Sequence, residues 1–121
     1  MPHLGEYRRT HFFAVCDGHG VNGREVSYFV KTILSQSVES GIKSMFDQAK
    51  VQQRVVDSAE VKESLRVSFK EVAERLERES GINLKFSGST CVSVLIVGNK
   101  VFCANVGDSR AVLMRGSSQN Q

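Results

Sequence analysis

Apolar residues change their spacing three times along this chain, and each change marks an element. The run Phe12-Phe13-Ala14-Val15-Cys16 is continuous and closes on Asp17 and Gly18, the pattern of a short buried strand. From Asn22 the steps lengthen to three and four residues, through Val26, Phe29, Val30, Ile33, Leu34, Val38, Ile42 and Met45, which predicts an amphipathic helix. Asn22 with Glu25 predicts a capping box at its start. A second helical stripe joins Val61, Leu65, Phe69, Val72 and Leu76, with Asp57 and Glu60 as a capping pair and Gly81 as its stop; residues 47–57 form a polar connector. Beyond Gly81, the runs TCVSVLIVG, KVFCANV and RAVLMR are β-branched or alternating. Gly98-Asn99 and Gly107-Asp108-Ser109 separate them, which predicts a three-stranded antiparallel meander with a frayed polar tail, GSSQNQ.

Strand, helix, helix and then three strands make an α+β pattern, not a βαβ unit. At 121 residues the chain holds one core and one domain, with its centre between about residues 12 and 115.

Charge narrows the function classes. Sixteen Lys and Arg against thirteen Asp and Glu leave a formal charge of +3, and the signs are interspersed. Neither a nucleic-acid arm nor a membrane-binding basic stripe fits, because both need clustering. Cys16, Cys91 and Cys103 are odd in number, have no zinc spacing and sit in apolar runs, where a thiol behaves as a small buried hydrophobe. With no signal-peptide pattern and no apolar run long enough to span a bilayer, the expectation is a reduced, soluble protein of the cytoplasm or nucleus.

The turn after the first strand carries two incompatible chemistries. Gly18, Gly20 and Gly23 spell G-x-G-x-x-G between a strand and a helix, the context of a dinucleotide site. That site also needs an acidic residue at the end of a second parallel strand; Glu39 has the spacing, but it falls inside the predicted helix. Asp17 would also place a carboxylate where a pyrophosphate should lie. Turn formation alone would account for Asp, Gly and Asn at such a junction. Two further polar clusters, Ser87-Gly88-Ser89-Thr90 and Gly107-Asp108-Ser109-Arg110, interrupt apolar strands. An aspartate at the end of each of two strands suits one divalent cation at a sheet edge, since carboxylate oxygens are hard donors for Mg²⁺ or Mn²⁺.

Together FFAVCDGHG (Phe12 to Gly20), SGST (Ser87 to Thr90) and ANVGDSRAVL (Ala104 to Leu113) resemble the metal-dependent Ser/Thr protein phosphatases of type 2C, over most of the chain. The resemblance implies part of a four-layer α-β-β-α sandwich with antiparallel sheets. It implies hydrolysis of phosphoserine and phosphothreonine in phosphoprotein substrates, with two or more Mg²⁺ or Mn²⁺ ions. By it, Asp17 would be a catalytic carboxylate bridging two metals, Gly18 would lend a metal its backbone carbonyl, His19 would be the general acid, and Asp108 would hold a further metal. Val21 stands where the family often has glycine, and Cys91 where alanine is usual. The family's upstream Arg-x-x-x-Glu segment is not reproduced by Glu6, Arg8 and Arg9, and its later aspartates would lie farther beyond Asp108 than this sequence runs. The expectation is therefore about half of a catalytic domain, inactive and short of metal ligands by itself. The alternatives are a non-catalytic phosphatase-like binding or decoy protein and, more remotely, a dinucleotide-binding module.

Overall fold

The computed structural model describes residues 9–117; Glu6 and Arg8 lie outside that range, as does most of the GSSQNQ tail. The order is β1 (Thr10–Val15), β2 (Gly18–His19), α1 (Gly23–Val51), α2 (Ser58–Glu79), β3 (Gly88–Ser89), β4 (Cys91–Val97) and β5 (Lys100–Val106). The fold is α+β. β4 is the central strand, paired antiparallel with β1 on one side and β5 on the other. α1 and α2 pack on each other and against this sheet.

The sheet differs from the predicted meander. The third strand is β1, on the far side of β4, while Arg110 to Arg115, expected beside β5, add no strand: residues 109–117 form no regular element. The reason lies in the turn after β5, where Gly107 adopts a φ of +101° and packs on Thr90 while the Asn105 side chain donates to the Ser109 carbonyl at 2.6 Å. The chain is drawn toward β4 instead of doubling back along β5. The first strand also begins two residues before Phe12, at Thr10.

Alternation along the strands sorts the core. Phe12, Leu95 and Phe102 stand opposite one another on the three strands and are buried with Leu34, Val38 and Ile42 of α1 and Val61, Leu65 and Val72 of α2. The opposite sheet face carries Phe13, Val15 and Val101, all exposed. Cys103 lies on this outer face and is exposed, unlike the buried position expected for it. Leu95 is 0% exposed at the middle of the central strand. Leu95→Ala is expected to destabilise the protein by about 2–5 kcal/mol, the usual range for a core leucine, as a denaturant midpoint would show.

The helices follow the apolar stripes with changes at their ends. α1 runs to Val51, so the connector shortens to residues 52–57. The Asp57–Glu60 capping box forms, with both reciprocal hydrogen bonds at 2.9 Å, and Gly81 takes the left-handed conformation past the end of α2. Asn22, in contrast, makes no side-chain cap. Its backbone N–H donates to Ser87 Oγ at 2.9 Å and its amide to the Asn83 carbonyl at 3.0 Å, so it ties the start of α1 to the loop before β3.

Candidate active site

The three polar clusters meet in one place. The β1–β4 register pairs Val15 with Val92. The same register continues beyond the sheet, where β2 pairs with β3 through Gly18 opposite Ser89 and His19 opposite Gly88. Between the two ladders sits Asp17. Its backbone N–H donates to Thr90 Oγ1 at 3.1 Å, and its carbonyl accepts from the Thr90 N–H at 2.9 Å. Thr90 Oγ1 also shares a hydrogen bond of 2.7 Å with Ser109 Oγ. One threonine side chain therefore joins the Asp17 turn to the Gly107–Ser109 turn.

Topology explains the meeting. β1 and β5 are both antiparallel to β4, so they run in the same direction, and their C-terminal ends lie at one end of the sheet. Asp17 follows β1 and Asp108 follows β5 there, with β4 between. The fold uses only the backbone of Asp17 in these contacts, and Asp17, Gly18, His19 and Asp108 are all solvent-exposed. Thr90 was not singled out from the sequence, where it reads as one more polar residue entering a strand. Its signal is its place at the end of the SGST motif, which assigns it no role of its own.

The glycines answer to packing. A Cβ on Gly18 would lie 2.0 Å from the Gly23 carbonyl oxygen, so the turn lies directly on the start of α1. Gly20 has a φ of +82°, and a Cβ there would meet the Phe86 carbonyl oxygen at 2.0 Å. The helix start is also occupied: the N–H of Asn22 bonds to Ser87 and that of Gly23 to the Gly20 carbonyl. A pyrophosphate site needs such N–H groups free. Glu39 lies inside α1, and every strand pair among the described residues is antiparallel, so the dinucleotide reading has no support in the fold.

The His19 ring lies over Gly88. A Cβ at Gly88 would fall 2.9 Å from both Cε1 and Nε2 of the imidazole. The ring is the end of an exposed side chain and can swing aside. Gly88→Ala is therefore expected to leave the melting temperature nearly unchanged while shifting the His19 imidazole resonances in NMR spectra. An unaltered His19 signal would mean that the ring does not rest there.

Next to Asp17 sits a thiol pair. The Cys91 thiol donates a hydrogen bond to the Cys16 sulfur, which lowers the Cys16 pKa to about 7 against the opposing effect of burial, with some help from the Lys31 charge. The same bond and burial push Cys91 upward.

Asp17 and Asp108 offer carboxylate oxygens and Gly18 a carbonyl, a hard donor set that fits Mg²⁺ or Mn²⁺ in kind. In number it is partial: among the described residues no three His, Cys, Asp or Glu side chains cluster closely enough to hold a metal.

The sequence from residue 2 to 121 matches the family profile described as Protein phosphatase 2C. It is 39% identical over 104 residues to "Probable protein phosphatase 2C 35" of Arabidopsis thaliana, an alignment covering 86% of this chain and 26% of that protein. Identity is 35% over 117 residues with "Probable protein phosphatase 2C 8" of the same plant, covering 97% and 30% respectively. A probable protein phosphatase 2C of Caenorhabditis elegans is 35% identical over 101 residues, covering 84% and 24%. The chain belongs to the protein phosphatase 2C family, and its sandwich of helices on an antiparallel sheet is consistent with part of that family's fold. It spans 24–30% of the length of these relatives. No helix among the described residues is long and apolar enough to cross a membrane.

Proposed function

We propose that this chain supplies one part of a metal-dependent centre that hydrolyses phosphoserine and phosphothreonine in proteins. The observation that carries the reading is the convergence on Thr90 of the Asp17 and Gly107–Ser109 turns at one end of the sheet, with His19 exposed two residues from Asp17. Family membership supports the phosphatase class; the residue roles are our assignment.

Asp17 would hold two ions through its carboxylate, Gly18 would give its carbonyl, and Asp108 would hold a further ion from the neighbouring turn. Bound Mg²⁺ or Mn²⁺ supplies an acidified water and neutralises charge on the phosphoryl oxygens. The donors that complete the shell are water and groups other than the described residues. This chain's own contributions are mainly orientation and a proton. Thr90 fixes the Asp17 backbone, so the carboxylate leaves a turn that is held from both sides. His19, on β2 and held by β3, would pass a proton to the departing seryl or threonyl oxygen as a general acid.

The test is turnover of phosphoseryl and phosphothreonyl peptides by the full-length protein. Stripping divalent ions with chelator should stop phosphate release, and Mn²⁺ or Mg²⁺ should restore it. A folded protein that releases no phosphate at any metal concentration would instead be a phosphatase-like binding protein.

A further inference from the structure

We propose that Cys16 and Cys91 close into a reversible disulfide across the β1–β4 ladder, making this pair an oxidation site beside the Asp17 turn. The inference concerns the two thiols and stands whether or not the reaction proposed above is correct.

Register carries the argument. Val15 pairs with Val92, so the next step of the same ladder sets Cys16 opposite Cys91. Two hydrogen bonds, one at each end of the ribbon, fix its phase. The Gly98 N–H donates to the Arg9 carbonyl at 2.9 Å, and the Thr90 N–H to the Asp17 carbonyl at 2.9 Å. The hydrogen-bonded pairs therefore fall on odd-numbered residues of this strand, and Cys16–Cys91 is a non-hydrogen-bonded pair. At such pairs the Cα atoms lie about 4.5 Å apart and the side chains approach each other most closely. That spacing falls within the ~4.4–6.8 Å range of disulfide-linked Cα atoms.

Burial assigns the order of events. Cys16 is half-buried at the margin of the core, and Cys91 is buried within it. An oxidant meets Cys16 first, and Cys91 waits behind it, shielded from other thiols. Cys103 is exposed on the opposite sheet face, where it pairs with Val94 and cannot reach either partner.

A peroxide serves as the oxidant. The Cys16 sulfur attacks one peroxide oxygen; the O–O bond breaks, leaving a sulfenic acid and one water. The Cys91 sulfur then attacks the Cys16 sulfur; the S–S bond forms, the S–O bond breaks, and a second water leaves. Two thiol hydrogens and two electrons thus reduce one peroxide to two waters. An external dithiol reverses the bond by exchange.

The experiment treats the full-length protein with hydrogen peroxide, blocks the remaining thiols with an alkylating agent, and maps the digested peptides by mass spectrometry. The expected product is a Cys16–Cys91 linked peptide, two hydrogens lighter than the reduced pair, found in monomeric protein and lost on treatment with dithiothreitol. Cys91→Ala should remove the link and carry Cys16 on to sulfinic acid under the same peroxide dose. Wild-type protein in which Cys16 reaches sulfinic acid while Cys91 remains a thiol would overturn the proposal. So would a link from Cys16 to Cys103 or between two chains, or two thiols that stay reduced. The wild-type map decides the matter even if the alanine variant does not fold.

Discussion

Asp17→Asn is expected to abolish metal-dependent phosphate release while leaving the melting temperature close to that of the wild type. The two halves of this result have separate causes. Only the backbone of Asp17 enters the contacts with Thr90, and its side chain is exposed, so an isosteric amide disturbs neither hydrogen bond. What the amide lacks is negative charge. Groups that merely orient a metal ligand are worth about 10–100-fold in affinity or activity, and replacing a residue proposed to hold the ions itself should cost more. The measurement is phosphate release across a Mn²⁺ titration beside a thermal melt. Near-normal turnover at saturating Mn²⁺ would remove Asp17 from the metal site.

The second large effect concerns His19 and depends on the leaving group. His19→Ala should slow hydrolysis of phosphoserine peptides by about 10²–10⁴-fold, the usual worth of general acid–base help. An aryl phosphate has a stable leaving oxygen that needs little protonation, so its hydrolysis should fall much less. The fold should survive the substitution. His19 is exposed and lies over Gly88, clear of the core, so its truncation removes a ring without opening a cavity. Equal losses on both substrates would point to a positioning role.

What the sequence made legible, and what it hid, divides along contact range. The stripes from Val26 to Met45 and from Val61 to Val72 were readable because helical periodicity is a local property, and so was the Asp57–Glu60 box. The pairing of β1 with β4 was not, because nothing within Phe12 to Val15 names a partner some eighty residues away. The strand expected beside β5 at Arg110 to Met114 has good strand composition. It fails because contacts of Gly107 and Ser109 with Thr90 and Asn105 redirect the chain. Asn22 illustrates the same limit at shorter range: its residue type suits a cap, yet Ser87 and Asn83 compete for it successfully. Cys103 was misplaced because an apolar run does not reveal which of its residues face the helices.

In the candidate site, the motifs located Asp17, Gly18, His19 and Asp108 by type and order. Their convergence through Thr90 is a property of the folded ribbon. The function of the G-x-G-x-x-G spacing was legible only in part: Asp17 argued against a nucleotide, but the approach of Gly18 to Gly23 required coordinates.

The hydrogen bond from Asp17 to Thr90 spans 73 positions of sequence, and this separation has a consequence for biosynthesis. The Asp17 turn emerges from the ribosome well before the residue that clamps it. At about 5–20 residues per second the delay is on the order of ten seconds. During that interval α1 can form locally, but Phe12 and Phe13 have neither β4 beside them nor a core to enter. Hydrogen exchange on stalled nascent chains would measure the delay as an Asp17 amide that stays open until Thr90 has emerged. For that time the segment that will carry the proposed chemistry is an unpaired apolar strand, and its safe passage falls to whatever chaperones meet the growing chain.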